Sequence, residues 1–139
     1  MSRARRAAAA AAALAVAAAL AAAGCGSSAG DLIAIEVSGG PARVNERIRV
    51  TDDGRAGCGD GRLRALASQQ VLDARQVKRA LKPLAKRGAS YGSHRPGRRR
   101  YVARSVDGSV SWTEGAPGPP ALARATLLAL RLERRLCRG

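Results

Sequence analysis

Three cysteines are the residues of this chain whose type and spacing could do chemistry, and they divide into one and two. Cys25 follows Ala22-Ala23-Gly24 and precedes Gly26-Ser27-Ser28. A thiol directly after a small-residue pair is the acceptor pattern of a bacterial lipoprotein signal peptide. The pattern predicts transfer of a diacylglyceryl group to the Cys25 sulfur, cleavage after Gly24, and Cys25 as the acylated first residue. Upstream lie Arg3, Arg5 and Arg6, then an alanine-rich apolar run from Ala7 to Ala23. Positive charge resists translocation, whereas a moderate apolar segment engages the export machinery and leaves with the cleaved peptide. The run is about 17 residues, at the lower edge for spanning a bilayer. Ala22 stands where the lipoprotein pattern usually has Leu, with Leu20 just upstream. The competing readings are a retained membrane anchor, or an ordinary cleavage that leaves Cys25 free. The expected location is therefore outside the cell, on the outer face of its membrane. That membrane, reached through the lipid on Cys25, is the first expected partner.

Cys58 and Cys137 remain, an even pair in an oxidising compartment, and a disulfide is the expected outcome. It would close a loop of about 79 residues, worth up to about 4–5 kcal/mol in the chain-entropy model. A metal site from the same sulfurs would need further His or Cys ligands, and His94 is the chain's one histidine. No metal or cofactor is expected.

Charge supplies the next candidate site. The leader holds three of the 25 basic residues and none of the ten acidic ones, so residues 25–139 carry 22 against 10, a net +12. Such a balance favours an anionic partner, although an Arg-rich, Ala-rich, Phe-free composition is also what a GC-rich coding sequence produces. Arg95, Arg98, Arg99 and Arg100 form the densest cluster. Their guanidinium forks suit phosphate and carboxylate groups, which makes them the candidate anion-binding residues. Nucleic acid is not an expected partner. Single-strand readers stack bases on exposed aromatics, and only Tyr91, Tyr101 and Trp112 are available. An anionic envelope polymer or a membrane protein is the more natural counterpart for an exported chain.

Catalytic constellations are not evident. His94 sits in a Gly/Ser/Pro-rich segment, with Asp73 the only acid between Gly61 and Val106, so a base held by an orienting carboxylate is not expected. Asp52-Asp53 before Gly54 is explained by a turn. The glycines at 54, 57, 59 and 61 lack the Lys-Ser/Thr and helix of a phosphate loop. No catalytic residue is assigned, and the chain is read as a non-enzyme.

The elements that would position these residues are short. Residues 25–30 form a Gly/Ser tether, and residues 31–139 a single domain with one small core. Leu32–Val37 reads as a strand, apolar on both faces and so central. From Arg43 to Thr51, Val44, Ile48 and Val50 alternate with Arg43, Asn45, Arg47 and Arg49, a half-buried strand with a cationic outer face. Asp52-Asp53-Gly54 turns into a short strand carrying Cys58. Residues 69–87 read as a helix with Val71, Ala74, Val77, Leu81 and Leu84 on one stripe and Lys78, Lys82 and Lys86 on another. Ser68 is its expected N-cap, Gly88 its C′ residue, and Pro83 should kink or split it. Arg99–Val106 and Ser109–Thr113 read as a hairpin turning at Asp107-Gly108, with Ala103 opposite Trp112. Tyr101, Ala103, Val110 and Trp112 then share the core face. A last helix from Pro120 or Ala121 buries Leu122, Ala125, Ala129, Leu132 and Leu136. The expected fold is α+β: an antiparallel sheet of about five strands, with two helices on one face and the disulfide stapling the last helix to the sheet.

This element order, with Ser38-Gly39-Gly40 after the first strand and Pro119-Pro120-Ala121-Leu122 entering the last helix, resembles two groups. One is a set of small actinobacterial lipoproteins and secreted proteins. The other, more distant, is the emfourin group, small inhibitors of thermolysin-like metallopeptidases. The resemblance spans nearly all of residues 25–139, and its motifs are turns and caps. Through the second group it implies an inhibitory activity to which no residue of this chain is matched. The reading that follows is a lipid-anchored envelope protein acting by binding as a monomer, with metallopeptidase inhibition as the alternative.

Overall fold

A computed structural model describes residues 30–138 of the chain. The leader, Cys25 and most of the tether lie outside the described residues. Seven strands and two helices follow one another as β1 (Asp31–Gly39), β2 (Val44–Thr51), β3 (Arg55–Cys58), β4 (Arg64–Ala65), α1 (Ser68–Lys86), β5 (Ser90–Tyr91), β6 (Arg99–Ser105), β7 (Gly108–Thr113) and α2 (Pro120–Leu136). The class is α+β, as expected, but the sheet holds seven strands in the order β4-β3-β2-β1-β6-β7-β5.

The two extra strands are two-residue edges. β4 folds back on β3, pairing Arg55 with Ala65. β5 emerges from α1 and runs parallel to β7, so the sheet is mixed. Neither edge has the length or alternation that would mark a strand in the sequence. β1 is central, antiparallel to β2 and β6, which explains an apolar run that serves both faces.

Pairing register decides which side chains meet the helices. Ile33, Ile35 and Val37 face the same side as Ile48 and Val50 of β2, Tyr101 and Ala103 of β6, and Val110 and Trp112 of β7. All are buried, and the helices cover this face with Ala74, Val77, Leu81 and Leu84 of α1 and Leu122, Ala125, Leu128, Ala129 and Leu132 of α2. Tyr101 and Trp112 sit directly opposite one another and stack, with ring centroids 5.3 Å apart. The Trp112 indole N–H donates to Thr126 Oγ1 at 2.9 Å, satisfying the one polar group that ring buries.

Several local expectations are corrected. The β6–β7 turn is Val106-Asp107, with Ser105 opposite Gly108, and Ala103 pairs with Val110 rather than Trp112. The shift is two residues, so the shared core face survives. Gly108 fixes this register: its φ is 126°, and a Cβ there would lie 2.4 Å from the Ala85 carbonyl oxygen in the last turn of α1. Helix α1 is one continuous element despite Pro83, which sits exposed in its final turn. Ala67, not Ser68, occupies the N-cap; its N–H donates to Gln70 Oε1, the half of a capping box that an alanine can still make. Gly88 closes the helix at φ 60°, its N–H bonded to the Ala85 carbonyl.

The helices run antiparallel across the sheet. α1 crosses the end where β1 begins, from Gly54 beside Val71 to Gly108 beside Ala85. α2 crosses the other end, from Trp112 and Thr126 to Cys58–Cys137. Asp73 and Arg131 pair between them at 3.8 Å.

Candidate anion-binding surface

Both helices lie on one side of the sheet, so the opposite face is built by the alternate residues of each strand. On β2 these are Asn45, Arg47 and Arg49; on β1 Ala34, Glu36 and Ser38; on β6 Arg100, Val102 and Arg104; on β7 Ser109, Ser111 and Thr113. Three cross-strand rows result. Ala34 lies between Arg49 and Arg104, Glu36 between Arg47 and Val102, and Ser38 between Asn45 and Arg100. Adjacent strands are about 4.8 Å apart and alternate residues of one strand about 6.7 Å. The backbones carrying Arg49 and Arg104 are therefore about 10 Å apart, with Arg47 one step along from Arg49. Serine, alanine and Gly57 between them keep the face low, and Ala34, flanked by Arg49 and Arg104, is buried despite belonging to this side.

Glu36 is the only acidic residue in these rows. Arg104 Nε donates to its carboxylate at 3.2 Å, leaving Arg47, Arg49 and Arg100 without an acidic partner there. Arg100 is held by hydroxyls instead: Nη2 donates to Ser111 Oγ at 3.0 Å and Nη1 to Thr113 Oγ1 at 3.5 Å. Ser111 Oγ in turn donates to Ser90 Oγ at 3.0 Å. Neutral acceptors orient the guanidinium without neutralising it, so its charge remains available to a ligand.

The four arginines singled out by their adjacency in sequence are not one site. Alternation along β6 sends Arg99 to the helix side with Tyr101 and Ala103, and Arg100 to the open side. Arg99 is bound to Glu133 of α2, with Nη1 2.7 Å and Nη2 3.4 Å from its two oxygens. Glu133 is 1% exposed and Arg99 15%. Donating to the Glu133 carboxylate raises the Arg99 pKa further, against the opposing effect of burial. Arg138 Nη2 donates to the same carboxylate at 2.8 Å. Arg99 is thus a structural cation and is withdrawn from the candidate site.

Arg95 and Arg98 lie in the loop before β6, beside a cleft of about 160 Å³ lined also by Ser93, Thr113, Glu114 and Ala116. His94 is exposed in that loop. The loop is anchored at its end: Gly40 N–H donates to the Arg98 carbonyl at 3.1 Å, and a Cβ on Gly39 would lie 2.9 Å from the same oxygen. The Ser38-Gly39-Gly40 motif therefore has a steric reason, since only glycine lets the β1–β2 turn approach this loop.

Glu133 is the buried residue that sequence reasoning missed, yet it lies four residues after Ala129 on the buried stripe of α2. Its spacing was the signal. Near it, the Tyr101 hydroxyl is buried without a hydrogen-bond partner. Burial raises its pKa, the Glu114 carboxylate adds to this, and the Arg99 guanidinium opposes it.

Cys58 and Cys137 form the expected disulfide, with Cα atoms 5.4 Å apart. Glu46 places a carboxylate oxygen within 4.8 Å of both sulfurs, but the sulfurs are joined to each other and do not offer thiolate ligands. No helix among the described residues is long and apolar enough to cross a membrane. Comparison with protein-family models, curated proteins and solved structures finds no match.

Proposed function

We propose that this chain is a lipid-anchored envelope protein that acts by binding, and that its open sheet face takes an anionic polymer of the cell envelope. One observation carries the reading: helices cover a single side of the sheet, and the three central rows of the uncovered side set four arginines against one glutamate. Arginines at intervals of about 7 and 10 Å on a flat face suit a chain of repeated phosphates or carboxylates better than one small anion. The hydroxyl-bearing neighbours supply further donors, and no catalytic group is required.

Binding to linear polyphosphate and to purified cell-wall material tests this. The triple variant Arg47→Gln, Arg49→Gln, Arg104→Gln should bind at least about tenfold more weakly, with the remaining affinity less sensitive to salt. Arg95→Gln with Arg98→Gln should change binding by less than about threefold. Equal losses from both variants would point to unspecific charge and retire the sheet face as the site.

A second reading, inhibition of a secreted metallopeptidase, is favoured by the turn at Gly39-Gly40. It is locked against Arg98 and projects from the end of the sheet, as a rigid inhibitory loop must. Incubation of the protein at micromolar concentration with a thermolysin-like peptidase decides it, and unslowed cleavage removes the idea.

A further inference from the structure

The described chain begins at Gly30, whose carbonyl accepts from Asp52 N–H at 2.9 Å. This ties the point of entry to the end of the sheet that holds the β2–β3 and β6–β7 turns. Only residues 26–30 separate that point from Cys25, a span of at most about 17 Å when fully extended. An acyl group on Cys25 would therefore bring this particular end to the lipid surface.

Helix α1 crosses this end. Its buried residues Ala74, Val77, Leu81 and Leu84 face the sheet, and Asp73 turns toward α2, where it meets Arg131. At 100° per residue, Arg75, Arg79, Lys82 and Lys86 fall within about 60° of one another on the flank away from α2. All four are exposed. The flank is anchored to both turns: Arg75 Nη2 reaches the Asp52 carbonyl at 3.5 Å, and Lys82 Nζ lies 3.7 Å from Asp107. Four acids share this end: Asp107 offsets Lys82, Asp53 accepts from the Thr51 hydroxyl and keeps its charge, and Asp31 and Asp52 are exposed. The cationic excess therefore lies on the helix flank and not over the whole end. Within α1 itself, Asp73 is the only acid, and it faces the other way.

Apolar side chains are exposed at the same end. Val106, at the tip of the β6–β7 hairpin, is 86% exposed, the most exposed large hydrophobic residue among those described. Leu72, half exposed, lies on α1 beside the cationic stripe. A row of cations flanked by protruding apolar side chains is the composition of a surface that rests at an interface.

We propose that the α1 end of the molecule docks on an anionic lipid surface, with Arg75, Arg79, Lys82 and Lys86 at the headgroups and Val106 inserted among them. The inference rests on the lipid anchor proposed above only for its source of proximity. The stripe should have its own affinity for anionic lipid.

The test uses the full chain purified from membranes and reconstituted in phosphatidylcholine vesicles, with or without about 30 mol% phosphatidylglycerol. Val106→Trp reports insertion through quenching by brominated lipid, relative to the buried Trp112 alone. Quenching is expected with phosphatidylglycerol. It should fall in pure phosphatidylcholine and in the variant with Arg75, Arg79, Lys82 and Lys86 all changed to Gln. Absence of quenching in anionic vesicles, or quenching that the quadruple variant leaves unchanged, overturns the proposal. The mass of the N-terminal peptide is read on the same sample. An unmodified Cys25 retires the lipid anchor, while co-sedimentation of that unacylated protein with anionic vesicles still measures the stripe. There the quadruple variant should bind at least about tenfold more weakly, and equal binding refutes docking.

Discussion

At the scale of the residue, the fate of each arginine was set by parity rather than by clustering. Arg98, Arg99 and Arg100 are adjacent, yet one lies in a loop, one is ion-paired to a buried glutamate and one is on the open sheet face. Alternation along β6 was legible and already placed Tyr101 and Ala103 inward, so it also placed Arg99 inward. What could not be read was its partner, because Glu133 is 34 residues away and their meeting depends on how α2 crosses the sheet. Tyr101 is the residue where this burial has a measurable pH consequence. Its folded pKa is raised above the ordinary value near 10, chiefly by burial. The stability it contributes is therefore intact below about pH 10 and is lost as pH rises from there through the folded value. Tyr101→Phe should remove that part of the alkaline loss. At neutral pH it should alter stability by less than about 1 kcal/mol, since the hydroxyl has no hydrogen-bond partner to lose. Urea unfolding near pH 7 and near pH 11 compares the two proteins. Identical alkaline losses would show that the phenol ionises as freely in the fold as in the open chain.

At the scale of the element, the strands that alternate and the helices with apolar stripes were legible, and the two-residue edges were not. β4 and β5 are too short to show a period; they exist because α1 leaves and returns along the sheet margins. The β6–β7 register shows the same limit. Asp107-Gly108 is a strong turn signal, but the carbonyl of Ala85 claims Gly108 for a close approach, and the turn moves one residue toward the N-terminus. The disulfide was legible from cysteine arithmetic, and its structural role follows from where it falls. It joins β3, near the sheet edge, to the residue that ends α2, so it holds the C-terminal end of the helix that carries Glu133. Cys58→Ala with Cys137→Ala should lower stability by about 3–5 kcal/mol for a closed loop of 79 residues. Hydrogen exchange should show the last turns of α2 opening more readily than α1. Uniform loss of protection across both helices would instead mean that the bond stabilises the whole domain only through its unfolded state.

At the scale of the whole molecule, the two proposed surfaces face different directions. The surface proposed to meet lipid is the end of the sheet where Gly30 enters, so the strands would rise from the membrane roughly along its normal. The arginine rows lie on the open side of those strands, and the locked Gly39-Gly40 turn stands at the far end. A polymer on the sheet face and lipid beneath α1 would then occupy separate surfaces at the same time. This makes a prediction that neither binding measurement makes alone. Protein bound to phosphatidylglycerol vesicles should still take up linear polyphosphate, with an affinity within about threefold of that in solution at physiological salt, where charges more than about 8 Å apart are largely screened. Polyphosphate should not release the protein from the vesicles. If polymer and vesicle compete, a single cationic surface serves both, and the division of labour between the sheet face and α1 is wrong even where each charge variant weakens its own ligand.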